Sequence, residues 1–293
     1  MNMAGSNLIH RAERISDASR SRRLFVVFYA ASGAAALVYE VAWTRLLTLQ
    51  VGHTVSAIGI VLAAFMGGLA IGAFFAGRFP VAPARRLQAY AALEIVVALI
   101  AIALPAILNE LLPVIAWAYA DGDAPVRFGL VRVTLSLALL AVPAAAMGAT
   151  FPIAASWFVD AYVTMKAPAS RRSAADAGVL YAANTAGAAA GAIGAGFWLL
   201  PEVGLRATTW VGVALNGAAA LGAVWLARRD AIGAGARAPS QTGHDRHATA
   251  AQPRRRQAAV VMPVARPALA CAAAALSGFS ALVYEVAFTR LLA

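Results

Sequence analysis

The chain has 293 residues, of which 61% are hydrophobic and 13% charged, and this balance excludes an ordinary soluble globular domain. Its formal net charge of +11 does not indicate nucleic-acid binding, because most basic residues lie in short segments between long apolar runs. The single cysteine, Cys271, excludes an internal disulfide framework, and no Cys/His group has the spacing of metal ligands.

The apolar runs are long enough to cross a bilayer as helices. A transmembrane helix needs about 20 apolar residues, because unpaired backbone groups are too costly in lipid. The first run, 24–51, follows a basic tail over 1–23. It exceeds the ~7–15 apolar residues of a cleavable signal peptide, so we expect it to remain as a span. The predicted spans are 24–51, 54–77, 87–108, 128–156, 177–200, 207–227 and 267–293.

The placement of Lys and Arg predicts the orientation of these spans. The tail, the 78–86 turn, the 157–175 loop and the 228–266 loop hold 19 of the 24 basic residues. Because basic loops stay on the cytoplasmic side, we expect a multi-pass protein of the cell (inner) membrane with a cytoplasmic N-terminus. The 228–266 loop is rich in Ala, Gly, Arg and Pro, which predicts a flexible cytoplasmic linker.

An internal repeat links the first and the last span. Ser32 to Leu47 reads SGAAALVYEVAWTRLL and Ser277 to Leu292 reads SGFSALVYEVAFTRLL, so 13 of 16 positions are identical. Both copies follow a segment predicted to be cytoplasmic, and the two helices therefore cross in the same direction, as in a parallel repeat. The predicted fold is an all-α polytopic bundle: a six-span half over 24–227, the linker, and the first helix of a second repeat over 267–293. We expect the chain to be a fragment of a longer fused protein.

Four segments resemble a known family in the order expected of it. They are LVYEVAWTRLL in the first span, MGGLAIGAFFAGR in the second, PAAAMGATFPIAA from Pro143, and YAANTAGAAAGAIGAGFWLLPEVGL from Tyr181. Together they resemble the membrane portion of fused spermidine synthase-like proteins. The resemblance implies a major-facilitator-like membrane portion, followed in the family by a soluble aminopropyltransferase-like domain of Rossmann type that acts in polyamine synthesis.

The sequence contains no catalytic domain of that kind. A glycine-rich turn after a strand, with an acidic residue about 20 positions on, is missing, and Gly187, Gly191 and Gly194 lie inside a predicted span. We therefore expect no cofactor and no catalytic residue here, and any aminopropyltransferase activity would belong to a missing C-terminal domain. Whether the protein is an enzyme stays open at this point.

Glu40 and Glu285 are the candidate functional residues, because an ionisable group inside a span is costly and usually faces a cavity or a partner. In one interpretation, the two repeat-related carboxylates line a central cavity that binds a cationic amine or exchanges protons. Tyr39, Trp43 and Tyr284 would offer aromatic faces to an ammonium group. In the alternative, Glu40 is structural and hydrogen-bonds to neighbouring helices.

The remaining candidates favour structural roles. Gly68 with Gly72 and Gly187 with Gly191 place small residues one turn apart, which predicts close helix packing in lipid. Glu94 and Arg132 lie near opposite ends of their spans and are not expected to pair.

Three functions are therefore open: a membrane module that anchors an enzyme and handles a cationic amine, a stand-alone major-facilitator-type transporter, or an inactive fragment. The expected partners are the bilayer and a polyamine-like ligand, with no nucleic acid.

Overall fold

A computed structural model describes residues 3–51, 55–160 and 169–235, together with residues 269, 272–273, 275–280, 283–284 and 287. These residues contain helices and short turns but no strand. The helices are α1 (Met3–Val51), α2 (Val55–Arg78), α3 (Arg86–Tyr119), α4 (Pro125–Asp160), α5 (Ala169–Gly194) and α6 (Gly204–Gly235). The chain forms two compact units, Met1–Ile232 and Gly233–Ala293.

Five helical stretches are long and apolar enough to cross a membrane. They are Ser19–Leu49, Ile58–Arg78, Pro83–Tyr119, Pro125–Asp160 and Ala175–Ile232. The predicted all-α, multi-pass membrane bundle is thereby confirmed. The helices also extend beyond the predicted spans, since α1 begins within the basic tail at Met3 and α6 continues into the predicted linker as far as Gly235. Hydropathy marks only the part of a helix that lies in lipid, and polar helical turns outside it leave no such mark.

The stretch Ala175–Ile232 is interrupted between α5 and α6. The segment Ala195–Val203 is wound as a π-helix and contains Pro201, which has no backbone N–H to donate. Gly204 follows with φ 76° and ψ 177°, a backbone conformation that is essentially restricted to glycine. The break therefore has a local cause in the sequence, a proline followed by a glycine.

The contacts with α1 show that the chain reverses at this break. Along α1 and α5 the contact positions rise together, so these helices are parallel, whereas along α1 and α6 they run in opposite senses. For α5 the pairs are Arg22 with Asp176, Ala30 with Gly187 and Ala34 with Gly191; for α6 they are Phe28 with Gly222 and Tyr39 with Gly212. The described part of the first unit therefore contains six long helices, α1 to α6, which are called legs below. The fifth hydrophobic stretch, Ala175–Ile232, supplies two of them, α5 and α6.

Glycines allow close contacts between helices of the bundle. A Cβ atom added at Gly72 would lie 1.8 Å from the carbonyl oxygen of Ala145 on α4. A Cβ atom at Gly187 would lie 1.9 Å from the carbonyl oxygen of Ala30 on α1. Gly68 and Gly191 meet backbone atoms of α4 and α1 in the same way. Each of the four glycines named from the sequence therefore lies where two helix backbones are in close contact. Such contacts hold helices together in lipid, where no hydrophobic driving force acts between them.

One end of the bundle carries a concentration of arginines and is called the basic face below. Arg22 of α1 pairs with Asp176 of α5 at 2.6 Å, and its guanidinium lies 4.0 Å from the ring centre of Phe158. Arg86 at the start of α3 pairs with Asp160 at the end of α4. These contacts tie α1, α3, α4 and α5 together at the level where the chain leaves the apolar layer.

Candidate functional site

A cavity of about 390 Å³ lies inside the first unit, and every one of its six helices contributes to the lining. The polar side chains that line it are Tyr29, Ser32, Glu40, Glu94, Thr150, Tyr181, Asn184 and Asn216. The remaining lining is apolar, including Phe65, Leu69 and Val97. A polar cavity surrounded by membrane-spanning helices is costly to build, so its presence indicates a function.

Glu94 of α3 is the most buried charged residue of the lining, with 2% of its surface exposed. The Ser32 hydroxyl of α1 donates a hydrogen bond to Glu94 Oε1 at 2.5 Å. The Asn216 side-chain amide of α6 donates to the backbone carbonyl oxygen of Glu94 at 3.3 Å. Two neighbouring helices therefore fix the position of this residue, one through the carboxyl group and one through the backbone.

The sequence contains a signal for the burial of Glu94, which the sequence analysis did not use. Buried positions along α3 recur every three or four residues, the spacing of one helix face. They include Leu87, Ala91, Glu94, Val97, Ala101, Leu104 and Leu108. Glu94 is the acidic member of an otherwise apolar stripe, and this periodicity would have placed it inside the bundle. The predicted lack of a Glu94–Arg132 pair does not conflict with these contacts.

Glu40 also lines the cavity and is 6% exposed. It follows Ser32 on α1 by eight residues, which corresponds to about 12 Å along a helix axis. Because Ser32 contacts Glu94, the two carboxyl groups approach the cavity at different depths. The structure therefore places Glu40 on a cavity of the first unit, together with a second acidic residue, Glu94, that was not among the predicted site residues.

Tyr39 and Trp43 are placed away from the cavity lining. Their rings stack on each other with centres 5.0 Å apart, and Trp43 meets the ring of Phe65 edge-on at 6.5 Å. The Tyr39 ring packs against Gly212 of α6. Both side chains are almost completely buried in an apolar cluster. These contacts account for the two aromatic residues through packing rather than through contact with a ligand in the cavity.

The repeat-related residues lie in the second unit. Tyr284 is described as part of a helix and is 64% exposed. Glu285, its neighbour, falls outside the described residues. The common cavity of Glu40 and Glu285 therefore stays a prediction.

The chemistry of the lining points to a positively charged or hydrogen-bond-donating ligand. Glu40 and Glu94 are the only charged residues of this cavity as the structure describes it, and the surrounding hydroxyl and amide oxygens add further acceptors. Among the described residues, no group of three or more His, Cys, Asp or Glu side chains is arranged to hold a metal ion.

Comparison with protein-family models, curated proteins and solved structures gives no match. The resemblance to spermidine synthase-like proteins therefore stays a prediction, and the cavity is the structural feature from which a function can be inferred.

Proposed function

We propose that this chain is the membrane-embedded module of a spermidine synthase-like protein and that its cavity binds a cationic amine. The observation that carries the proposal is the pair of buried carboxyl groups, Glu40 and Glu94, as the only charges on the described lining. Ser32 and Asn216, the described hydrogen-bond partners of Glu94, are uncharged, and a carboxylate far from water is stabilised further when a cation neutralises it. An ammonium group supplies that charge and donates hydrogen bonds to the oxygens around it.

The anchoring role follows from the resemblance and from the helical architecture. Six apolar legs hold the chain in the bilayer, and a fused aminopropyltransferase-like domain would be kept at the membrane beside an amine-binding site. By the positive-inside rule, the basic face lies on the cytoplasmic side of the cell membrane. Polyamines carry several positive charges, which suits a cavity with two acidic groups at different depths.

A stand-alone secondary transporter is the second candidate function. The observation that favours it is the central position of the cavity among all six legs, since substrate sites of such transporters lie near the middle of the membrane. In that case the same carboxyl groups would bind the transported cation or couple its movement to protons. Net uptake of spermidine into sealed vesicles containing only this chain would favour the transporter over the anchoring module.

The test is an equilibrium binding measurement on the full chain reconstituted in lipid nanodiscs, with radiolabelled spermidine as the probe. Glu94→Gln keeps the shape of the side chain but removes its negative charge, and we expect it to weaken binding at least tenfold. Glu40→Gln should weaken binding in the same direction, and Glu285→Gln tests the predicted contribution of the repeat.

Glu110→Gln is the matched control, because Glu110 belongs to the same helix as Glu94, is exposed, and does not line the cavity. It should bind spermidine as the unchanged protein does. Equal binding by Glu94→Gln, Glu40→Gln and the unchanged protein would contradict the proposal, and so would an equal loss in the Glu110→Gln control.

A further inference from the structure

A second concave feature lies on the outer surface of the bundle, between α2 and α3. Both helices pack closely on α4 but make few close contacts with each other, which leaves a groove of about 540 Å³. Its small lining residues are Gly72, Ala76, Ala89, Ala92, Ala145, Ala146 and Ala149. Side chains of this size leave room for the groove. Phe75 and Val96 also line it, and both are exposed.

Two exposed arginines that form no described ion pair lie at the basic end of this groove. Arg78 ends α2 three residues after Phe75, and Arg85 precedes α3 four residues before Ala89. Both side chains are exposed, and neither forms an ion pair with any residue that the structure describes. Arg86, by contrast, is held by Asp160. An apolar groove therefore begins directly beneath two arginines that are available to an anion.

The depth of the groove matches one leaflet of a bilayer. Ile71 lies seven residues before Arg78 and Val96 lies ten residues after Arg86, which corresponds to about 10–15 Å along the helix axes. Half of a hydrocarbon core is about 15 Å thick. A groove with an apolar floor and a positive mouth at this spacing is complementary in shape and charge to an anionic lipid.

We propose that this groove is a specific site for an anionic glycerophospholipid. One acyl chain lies along the small residues between α2 and α3, and the phosphate of the headgroup is bound by Arg78 and Arg85. The site is separate from the acidic cavity, and it does not depend on the amine-binding proposal. The bound lipid fills the groove between α2 and α3, which make few close contacts with each other.

The experiment is lipid binding to the full chain in detergent micelles, followed by native mass spectrometry during titration with dioleoyl phosphatidylglycerol or dioleoyl phosphatidylcholine. We expect the unchanged protein to retain phosphatidylglycerol in preference to phosphatidylcholine. Replacing both arginines, as Arg78→Gln with Arg85→Gln, should weaken phosphatidylglycerol binding about 30-fold, since each basic residue near an anionic lipid contributes roughly fivefold. Ala92→Trp, which fills the groove, should reduce retention without any change in charge.

Two variants control for charge and for bulk. Arg206→Gln removes an exposed arginine outside the groove, and Ala103→Trp adds bulk to an exposed position of α3 outside the groove. Both should retain phosphatidylglycerol. If Ala92→Trp does not give monodisperse protein, Ala92→Leu fills less of the groove and should act in the same direction. Equal retention of the two lipids, undiminished binding by the groove-filling variant, or a co-purified protein chain in place of lipid would overturn the proposal.

Discussion

At the residue scale, the cavity depends on how Glu94 is held. Ser32 donates to its carboxyl oxygen, and both residues are buried, so the hydroxyl replaces a water molecule that the carboxyl group would otherwise contact. Removing one partner of a buried hydrogen bond costs the desolvation of the other, about 1–3 kcal/mol. The position of Glu94 is therefore coupled to a single side chain of α1.

This coupling predicts a difference between two serine substitutions. Ser32→Ala should lower the free energy of unfolding by about 1–2 kcal/mol, because Glu94 loses a donor. Ser136→Ala should change it little, since Ser136 is also buried but its hydroxyl has no hydrogen-bond partner in the described structure. Thermal unfolding of the purified variants in the same detergent measures the difference. Equal losses in the two variants would show that the Ser32–Glu94 bond does not contribute to stability.

At the scale of elements, glycines allow the helix pairs α2–α4 and α1–α5 to pack closely. At Gly72 a new Cβ atom would meet the carbonyl oxygen of Ala145, and backbone cannot move aside as a side chain can. Gly77 belongs to the same helix, but a Cβ atom there would meet nothing within 4 Å. The two positions therefore separate the effect of helix contact from the effect of glycine itself.

We expect Gly72→Ala to destabilise the bundle by about 1–3 kcal/mol, as overpacking does, whereas Gly77→Ala should be neutral or slightly stabilising because alanine favours helix. The midpoint of heat-induced loss of the monodisperse peak in size-exclusion chromatography reports both effects. A Gly72→Ala protein as stable as the Gly77→Ala protein would mean that α2 and α4 are not in the close contact described.

The positions of the helices could be predicted from the sequence more fully than the residues that lie inside the bundle. Long apolar runs identify helices directly, and small residues one turn apart predicted close packing of α2 and of α5, although not the partner helices α4 and α1. Hydropathy did not show the helical turns before Leu24 or after Ala227, since they lie outside the apolar layer. Glu40 is conspicuous in the sequence because the repeat pairs it with Glu285. The burial of Glu94 depends on the face of α3 on which it lies, and only the spacing of its apolar neighbours reveals that face.

At the scale of the whole molecule, the cavity is a property of the complete first unit. Each of the six legs supplies part of its lining, so removing or displacing one leg would open the acidic residues to lipid. The reversal at Gly204 is essential to this arrangement, because it brings Asn216 of α6 back beside Glu94. The aromatic pair Tyr39 and Trp43 contributes from outside, by packing α1 against α2 and α6.

The most direct test of the acidic cavity is carbodiimide labelling of the full chain in lipid, with the modified residues located by mass spectrometry. A membrane-permeable carbodiimide should modify the buried Glu94 and Glu40 as well as the exposed Glu110, which serves as the internal reference. Spermidine should slow the modification of Glu94 and Glu40, whereas glycerol, which is neutral, should not. Modification of Glu94 and Glu40 at the same rate with and without spermidine would contradict a cation-binding cavity in the membrane.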